Sequence, residues 1–202
     1  MASTSSPYGV QIIGDMTGPV RPARIPFGIA SGYAANIFKY QPVKLVAATG
    51  TLQACTNPGG TPDPVYGIFA GVEYTPLGGR PVVSPYWPSG TTYDPSLQMF
   101  VYYWEAWLPS TRFMVQADGS VPAALLGSSF NFTNLAAGNT SIGLSTCTVG
   151  AAGVPAGSQG QLTLVEFAPL NGDPDNGGDA FTDLICTMAY PQVGPRGQNS
   201  IG

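Results

Sequence analysis

Apolar and polar residues alternate over short stretches of this chain, and glycine or proline separates one stretch from the next. A period of two in runs rich in β-branched and aromatic residues is typical of β-strands. Nine stretches have this pattern: Phe27–Ser31, Val43–Ala48, Tyr66–Tyr74, Leu97–Trp104, Arg112–Gln116, Ser128–Thr133, Leu144–Val149, Gln161–Phe167 and Ala180–Met188. Nine short strands with turn signals between them predict an all-β fold, a compact β-sandwich or barrel-like domain.

One of these stretches, Gln161–Phe167, is apolar on both faces. Strict alternation places Leu162, Leu164 and Glu166 on one face and Thr163, Val165 and Phe167 on the other. A strand that is apolar on both sides is expected between a core and a partner surface.

Helical periodicity is scarce. One turn is predicted at Ala34–Phe38, where Ser31 can cap it and Pro42 prevents its extension. The other candidate is Val121–Leu126, because its proline lies in the first turn, where the missing N–H is tolerated.

The two ends of the chain differ from the middle. Residues 1–24 mix Ser, Thr, Gly and Pro with brief apolar steps at Val10, Ile12 and Ile13, too few to build a core. We therefore predict an extended N-terminal arm that is either disordered or ordered on a neighbouring molecule. Residues 25–194 are predicted to form the all-β domain, and residues 195–202 a flexible tail.

Charge is sparse. Charged residues make up 9% of the chain, against roughly 25% in ordinary soluble domains. Either neutral polar side chains keep the surface hydrated, or assembly into a larger particle covers it. The 7 basic residues form no cluster, so we expect no nucleic-acid partner. No apolar run reaches the roughly 20 residues of a membrane span, and the first ten residues lack the features of a secretory signal.

Catalytic residues are few. The chain has no histidine, which excludes Ser-His-Asp and Cys-His arrangements. A glycosidase-type pair of carboxylates stays open, with Glu73, Glu105 and Glu166 as the only glutamates. We interpret these glutamates as surface carboxylates and predict neither enzymatic activity nor a cofactor.

Cysteines and clustered aspartates are the remaining metal candidates. Cys55, Cys147 and Cys186 are widely spaced and are predicted to be buried, reduced thiols; one disulfide with a leftover thiol is the alternative. The stretch NGDPDNGGDAFTD has oxygen ligands suited to calcium at Asp173, Asp175, Asn176, Asp179 and Asp183. Its twelfth position is Leu184 and not a bidentate carboxylate, so we favour a turn and predict no metal site.

Large aromatic residues are concentrated in one part of the chain. Seven lie within 22 positions: Tyr86, Trp87, Tyr93, Tyr102, Tyr103, Trp104 and Trp107. Tyrosine and tryptophan are enriched at the centres of protein interfaces. Alternation sends Tyr102 and Trp104 to one face of their strand and Tyr103 to the other. Two interpretations follow, the interior of a two-layer sandwich or an exposed aromatic belt for a partner.

Several segments also resemble a family of small virion proteins of tailed bacteriophages, including cyanophages and other aquatic phages. The similar segments are SSPYGV, IASGYAANIFKYQPVKL, YGIFAGVEYTPLGGRPVVSPYWPSGT and VQADG, with a looser match at LVEFAPLNGDPDNGGDAFTDL. Gly67–Gly90 is the most specific part. Members of this family look like capsid-associated cement or decoration proteins.

The resemblance implies a structural virion protein on the capsid exterior, made in the cytoplasm of a bacterial host. It implies the major capsid protein as a partner, and symmetric lattice positions favour a trimer or dimer of this chain. Together with the arm and the aromatic residues, it predicts these interface residues: Pro7, Tyr8, Ile12, Ile13, Arg21, Arg24, Tyr86, Trp87, Tyr102, Tyr103, Trp104 and Trp107.

Two other functions are considered. The first is a carbohydrate-binding or glycosidase-like virion module, in which Trp87, Trp104 or Trp107 stacks on sugar. The second is the major capsid protein itself, whose usual long spine helix has no counterpart in the periodicity of this chain.

Overall fold

The computed structural model describes residues 5–15, 21–25, 28–57, 60–155, 158–169 and 179–193. These residues form β-strands and one short 3-10 helix, Ala123–Leu125, so the predicted all-β class is confirmed. The strands are β1 (Gln11–Asp15), β2 (Ala23–Ile25), β3 (Pro42–Val46), β4 (Thr51–Ala54), β5 (Gly67–Tyr74), β6 (Val82–Ser84), β7 (Phe100–Glu105), β8 (Thr111–Gln116), β9 (Ser129–Phe130), β10 (Phe132–Thr133), β11 (Gly138–Asn139), β12 (Leu144–Ser145), β13 (Thr148–Val149), β14 (Leu162–Phe167) and β15 (Asp183–Met188).

Two antiparallel sheets form the body. The five-stranded sheet has the order β1-β8-β15-β14-β9. The six-stranded sheet has the order β2-β7-β5-β3-β4, and β6 pairs with the second half of β5. Two ribbons, β10-β13 and β11-β12, complete the described strands. The predicted sandwich is therefore confirmed as two packed layers.

The six-stranded sheet is buried on both faces near its centre. Ile68 and Phe69 are neighbours on β5 with side chains on opposite faces, and both are fully buried. Ile68 belongs to a first core between the two sheets, which also contains Phe113, Leu162 and Leu184. Phe69 belongs to a second core, which packs against loop residues on the far side of the sheet: Ile29, Ile37, Trp87 and Met99.

The described part of the N-terminal segment pairs with both sheets of the same chain. β1 pairs with β8 as an edge strand of the five-stranded sheet, and β2 pairs with β7 in the other sheet. Val10 is fully buried in the first core. The described residues of this segment are extended, and they pair with this protein's own sheets. The predicted tail, residues 195–202, lies outside the described residues. The last described strand, β15, is the central strand of the five-stranded sheet.

Most of the longer predicted strands are confirmed as β3, β5, β7, β8, β14 and β15, with bounds shifted by up to three residues. The prediction at Phe27–Ser31 is wrong for residues 28–31, which form a loop. Ser128–Thr133 and Leu144–Val149 each divide into two short strands that belong to different sheets. The sequence of a six-residue run does not reveal such a change of sheet, because apolar and polar residues still alternate within each half of the run.

The helical predictions have opposite outcomes. Ala34–Phe38 is not helical, because Ile37 forms an extended bridge in which its N–H and C=O both bond to Trp87. The predicted turn at Val121–Leu126 is confirmed as the 3-10 helix, with Pro122 preceding it.

Strand β14 departs from simple alternation. Leu164 and Glu166 pair with consecutive residues of β15, so Val165 is an extra residue that forms a β-bulge. The bulge turns Phe167 inward against the first core and leaves Val165 and Glu166 exposed. The predicted two-faced distribution is therefore wrong after Leu164.

A buried glutamine joins four segments of the chain. The Gln161 side chain is fully buried. Its Oε1 accepts hydrogen bonds from Asn57 Nδ2 and the Phe132 amide, both 3.0 Å long. Its Nε2 donates to Asn57 Oδ1 at 2.9 Å and to the Asp63 carbonyl at 2.7 Å. A neutral amide thus satisfies buried polar groups without the desolvation cost of a charge.

Two further glutamines act in the same way. Gln192 bonds both backbone groups of Leu45, accepting from its N–H at 2.7 Å and donating to its C=O at 2.6 Å. Gln41 accepts from the Phe38 N–H at 2.8 Å and donates to the Leu135 carbonyl at 2.6 Å. These amides help to explain how the chain folds with so few charged residues.

Candidate interaction surface

The five-stranded sheet covers only part of the facing six-stranded sheet. Trp104 on β7 and its register partner Ile68 pack in the first core. Further along the same face, Phe100 and Tyr102 are half-buried and lie outside that core. We call the part of this face that no described strand covers the overhang face. It is defined by five residues that register places on one side of the sheet: Arg24, Glu73, Val83, Phe100 and Tyr102.

Side chains of the overhang face contact one another across three strands. The Arg24 guanidinium lies over the Phe100 ring, 3.4 Å from its centroid, which is a cation–π contact. Arg24 Nη2 lies 3.9 Å from Glu73 Oε2, and Tyr102 Oη donates to the same oxygen at 3.0 Å. That hydrogen bond to Glu73 raises the pKa of Tyr102. Exposed pairs of this kind contribute little stability, so their effect is to orient the side chains.

The composition of the overhang face suits a protein partner. Arginine and aromatic residues are enriched at interfaces, and here one cation and one anion balance each other. Its residue on β6, Val83, is 76% exposed, and Leu77 in the loop before β6 is 71% exposed. Pro81 and Pro85 flank β6 and remove backbone donors, which limits unspecific pairing at this sheet edge.

Trp87, the first tryptophan of the seven clustered aromatic residues, is part of the core. Trp87 is 0% exposed and lies between the rings of Tyr74 and Tyr93, with centroids 5.0 and 6.3 Å away. Tyr103, also predicted at the interface, is buried in the same second core. Neither side chain is accessible to a partner in this structure. Both residues are therefore interior, but they lie in the core on the far side of the six-stranded sheet and not between the two sheets.

The other predicted aromatic residues are half-buried. Tyr86 stacks on Phe38 at 5.8 Å, and Trp104 stacks on Tyr40 at 5.4 Å. Tyr102 lies on the overhang face, whereas Trp107 lies at a separate groove. The structure thus divides the cluster between both cores and two surfaces, and does not form one continuous aromatic belt.

The predicted N-terminal residues also have different surroundings. Ile12 packs against the first core, while Ile13 is 45% exposed at the β1 bulge. Tyr8 donates a hydrogen bond to Asp183. Pro7 is half-buried and Arg21 is exposed. Of this group, only Arg24 joins the overhang face.

The carboxylates are separated in space. Glu105 is opposite Gly67, at one end of the β5–β7 pair, and Glu73 is opposite Phe100, at the other end. Five residues of β7 at about 3.3 Å each separate the two positions by roughly 17 Å, beyond the range of a glycosidase pair. Glu166 lies on the other sheet. Residues 171–178 of the calcium candidate stretch lie outside the described residues. Of the two candidate aspartates that are described, Asp179 accepts a hydrogen bond from Thr182 through its backbone carbonyl, and Asp183 accepts one from Tyr8.

Phe100, Glu73 and Val83 were not among the predicted interface residues. The signal for Phe100 was present in the sequence, because alternation from Tyr102 places residues 100 and 102 on the same face. The position of Val83 depends on the pairing of β6 with β5, which local sequence does not reveal.

Comparison of the chain with models of protein families, with curated protein sequences and with solved structures found no match in any of the three. Among the described residues, no helix has the length and apolar character needed to cross a membrane. The same residues contain no group of three or more histidine, cysteine or acidic side chains that could hold a metal ion.

Proposed function

We propose that this protein is a structural virion protein that binds the outer surface of a phage capsid and stabilises contacts between major capsid protein subunits. The overhang face carries the proposal, because it presents oriented aromatic side chains and one balanced pair of charges on a sheet. The segment similarity described above points to the same function, since it is most specific between Gly67 and Gly90, which include β5 and β6.

The physical requirements of such a protein match this surface. A rigid sheet loses little conformational entropy when it binds, so a modest interface retains its binding energy. Many copies on a lattice then add their individual contributions through multivalency. A face in which Arg24 and Glu73 already balance each other depends little on long-range charge, and we expect binding that tolerates salt.

We further propose that the protein acts as a dimer or trimer, because symmetric lattice positions favour closed assemblies of identical chains. The major capsid protein itself is a less suitable assignment, since the described residues contain no long helix that could form a spine.

Cosedimentation with capsids that lack this protein tests the proposal. The double variant Tyr102→Ala/Val83→Asp removes an anchor ring and places a charge on the overhang face. We expect saturable binding by the parent chain and binding weakened at least about tenfold in the variant, as for loss of an interface hot spot. Leu126→Ser is the matched control, because Leu126 is 55% exposed outside this face.

Two results would reject the proposal: purified mature virions without the protein, or overhang variants that bind like the parent. A contact between the N-terminal segment and the capsid is best tested with a point variant. Deletion of residues 1–24 would remove β1 and the buried Val10 and would thereby disturb the fold. Ile13→Ser changes its exposed side alone and shows whether the segment also contacts the capsid.

A further inference from the structure

A groove of about 390 Å³ lies beside Trp107, away from the overhang face. Its walls come from the segment between β7 and β8 and from the paired strands β14 and β15. The lining residues used in the argument are Trp107, Pro109, Thr163, Thr187, Met188 and Pro191. We call it the Trp107 groove. Its volume falls within the range of roughly 300–1,000 Å³ typical of small-molecule sites.

Trp107 is held in place by two buried rings. Its indole packs edge-on against Tyr66, with centroids 5.2 Å apart, and lies 6.1 Å from Tyr103. Gly67 allows this ring cluster to form, since a Cβ there would lie 2.5 Å from Tyr103 Cδ2. The half-buried indole is therefore a preorganised surface, which lowers the entropy cost of binding a ligand.

Hydroxyl groups face the same groove. Thr163 on β14 and Thr187 on β15 are direct register partners, so their side chains project from the same face about 5 Å apart. Within the described part of the chain, neither threonine hydroxyl has a hydrogen-bond partner. Two hydroxyl groups in a mostly apolar groove thus remain available to a ligand.

We propose that the Trp107 groove binds a neutral saccharide, with a pyranose ring against the indole and its hydroxyls bonded to Thr163 and Thr187. No described lining residue is ionisable, so the groove favours an uncharged ligand. A sugar ring combines an apolar face with hydroxyls that donate and accept, which matches an aromatic surface beside threonines. The described lining contains no carboxylate, and the site binds without hydrolysis.

A proline-rich peptide is the competing occupant, because such segments also bind aromatic grooves. Those grooves are lined by several aromatic residues, whereas Trp107 is the one aromatic residue among the described lining residues here. The unpaired threonine hydroxyls likewise favour a ligand rich in hydroxyls.

Titration calorimetry with cellobiose, maltose and lactose tests the proposal, with a decaproline peptide as the competing probe. The variant Thr163→Val/Thr187→Val removes both hydroxyls and keeps β-branched side chains suited to strands. We expect saturable binding of at least one disaccharide and an affinity reduced about tenfold or more in this variant, as for loss of two hydrogen bonds. Thr92→Val, at an exposed position outside the groove, is the control and should bind like the parent.

Trp107→Phe should also weaken binding, while Trp104→Phe, outside the groove, should not. Circular dichroism and thermal unfolding of each variant separate loss of binding from loss of fold. The proposal is overturned if no disaccharide binds at millimolar concentration, if both groove variants bind like the parent, or if decaproline alone binds. The calorimetry does not measure capsid binding, so the saccharide proposal can fail while the proposed function stands, and the reverse.

Discussion

Tyr8 Oη donates a hydrogen bond of 2.8 Å to Asp183 Oδ1 and thereby joins two residues that are 175 positions apart. Asp183 begins β15 and is 5% exposed. In the described part of the chain, Tyr8 is the side-chain partner of its carboxylate. The N-terminal segment is therefore held to the body by a partly buried polar contact as well as by the pairing of β1 with β8.

Tyr8→Phe should reduce the free energy of unfolding by about 1–3 kcal/mol, because it leaves a buried carboxylate without its donor. Urea unfolding monitored by circular dichroism measures the change. Tyr86→Phe is the control: its ring is half-buried and stacked, so the loss should stay within about 0.5 kcal/mol. Equal losses in both variants would contradict a specific role for the Tyr8–Asp183 bond.

Stability should also fall at alkaline pH in a way that depends on Tyr8. Burial, followed by the charge of Asp183 and the hydrogen bond to it, raises the pKa of Tyr8 above its usual value. A raised folded-state pKa contributes stability that is complete below the unfolded pKa of about 10 and is lost as the pH rises further. Tyr8→Phe lacks this contribution.

Urea unfolding at several pH values between about 9 and 11 checks this dependence. The parent should lose stability more steeply than Tyr8→Phe, while other buried tyrosines such as Tyr103 contribute equally to both proteins. Parallel curves would show that the Tyr8 hydroxyl does not titrate differently in the folded state.

Gln161→Ala should be among the most destabilising polar substitutions. It removes two hydrogen bonds of Asn57, which keeps its bonds to the Phe132 carbonyl and the Asp63 amide. It also leaves the Phe132 amide and the Asp63 carbonyl without their bonds to Gln161. Each buried group left unsatisfied costs about 1–3 kcal/mol, so we expect a total loss of about 3 kcal/mol or more. Gln98→Ala, at an exposed position, should change stability by less than about 0.5 kcal/mol in the same unfolding assay.

The three cysteines are free and buried, as predicted. Burial raises the pKa of Cys147 to about 12, and it also raises the pKa of Cys55 and Cys186. The reactive thiolate is therefore scarce at neutral pH. A thiol-specific reagent should label none of them rapidly in the native protein and all three in denaturant. Rapid native labelling of one cysteine would show that its segment opens locally.

Sequence predicted the longer strands because each is a run of alternating or continuously apolar residues, as in Gly67–Tyr74. The shortest elements could not be predicted in this way. β6 has three residues, and its neighbours are prolines that usually argue against a strand. β1 contains Gly14 and a change of register, so its pairing with β8 depends on long-range contacts that local composition does not report.

The interaction surface was only partly predictable. Aromatic content selected Tyr102, which is half-buried on the overhang face, but the same criterion selected Trp87, which the second core buries completely. Local sequence gives the face of a strand but not what covers that face. The coverage depends on where the five-stranded sheet ends, which is set by packing across the first core.

The position of β8 has a consequence for biosynthesis. β8 lies between β1, near the start of the chain, and β15, near its end. On the ribosome, β8 emerges well before β15, so one side of β8 stays unpaired and Phe113 and Val115 lack most of their final neighbours. Such non-local pairing slows folding and exposes apolar surface to aggregation. We therefore expect nascent chains to depend on chaperones until the last strand has been synthesised, and premature stop codons before β15 to yield insoluble protein.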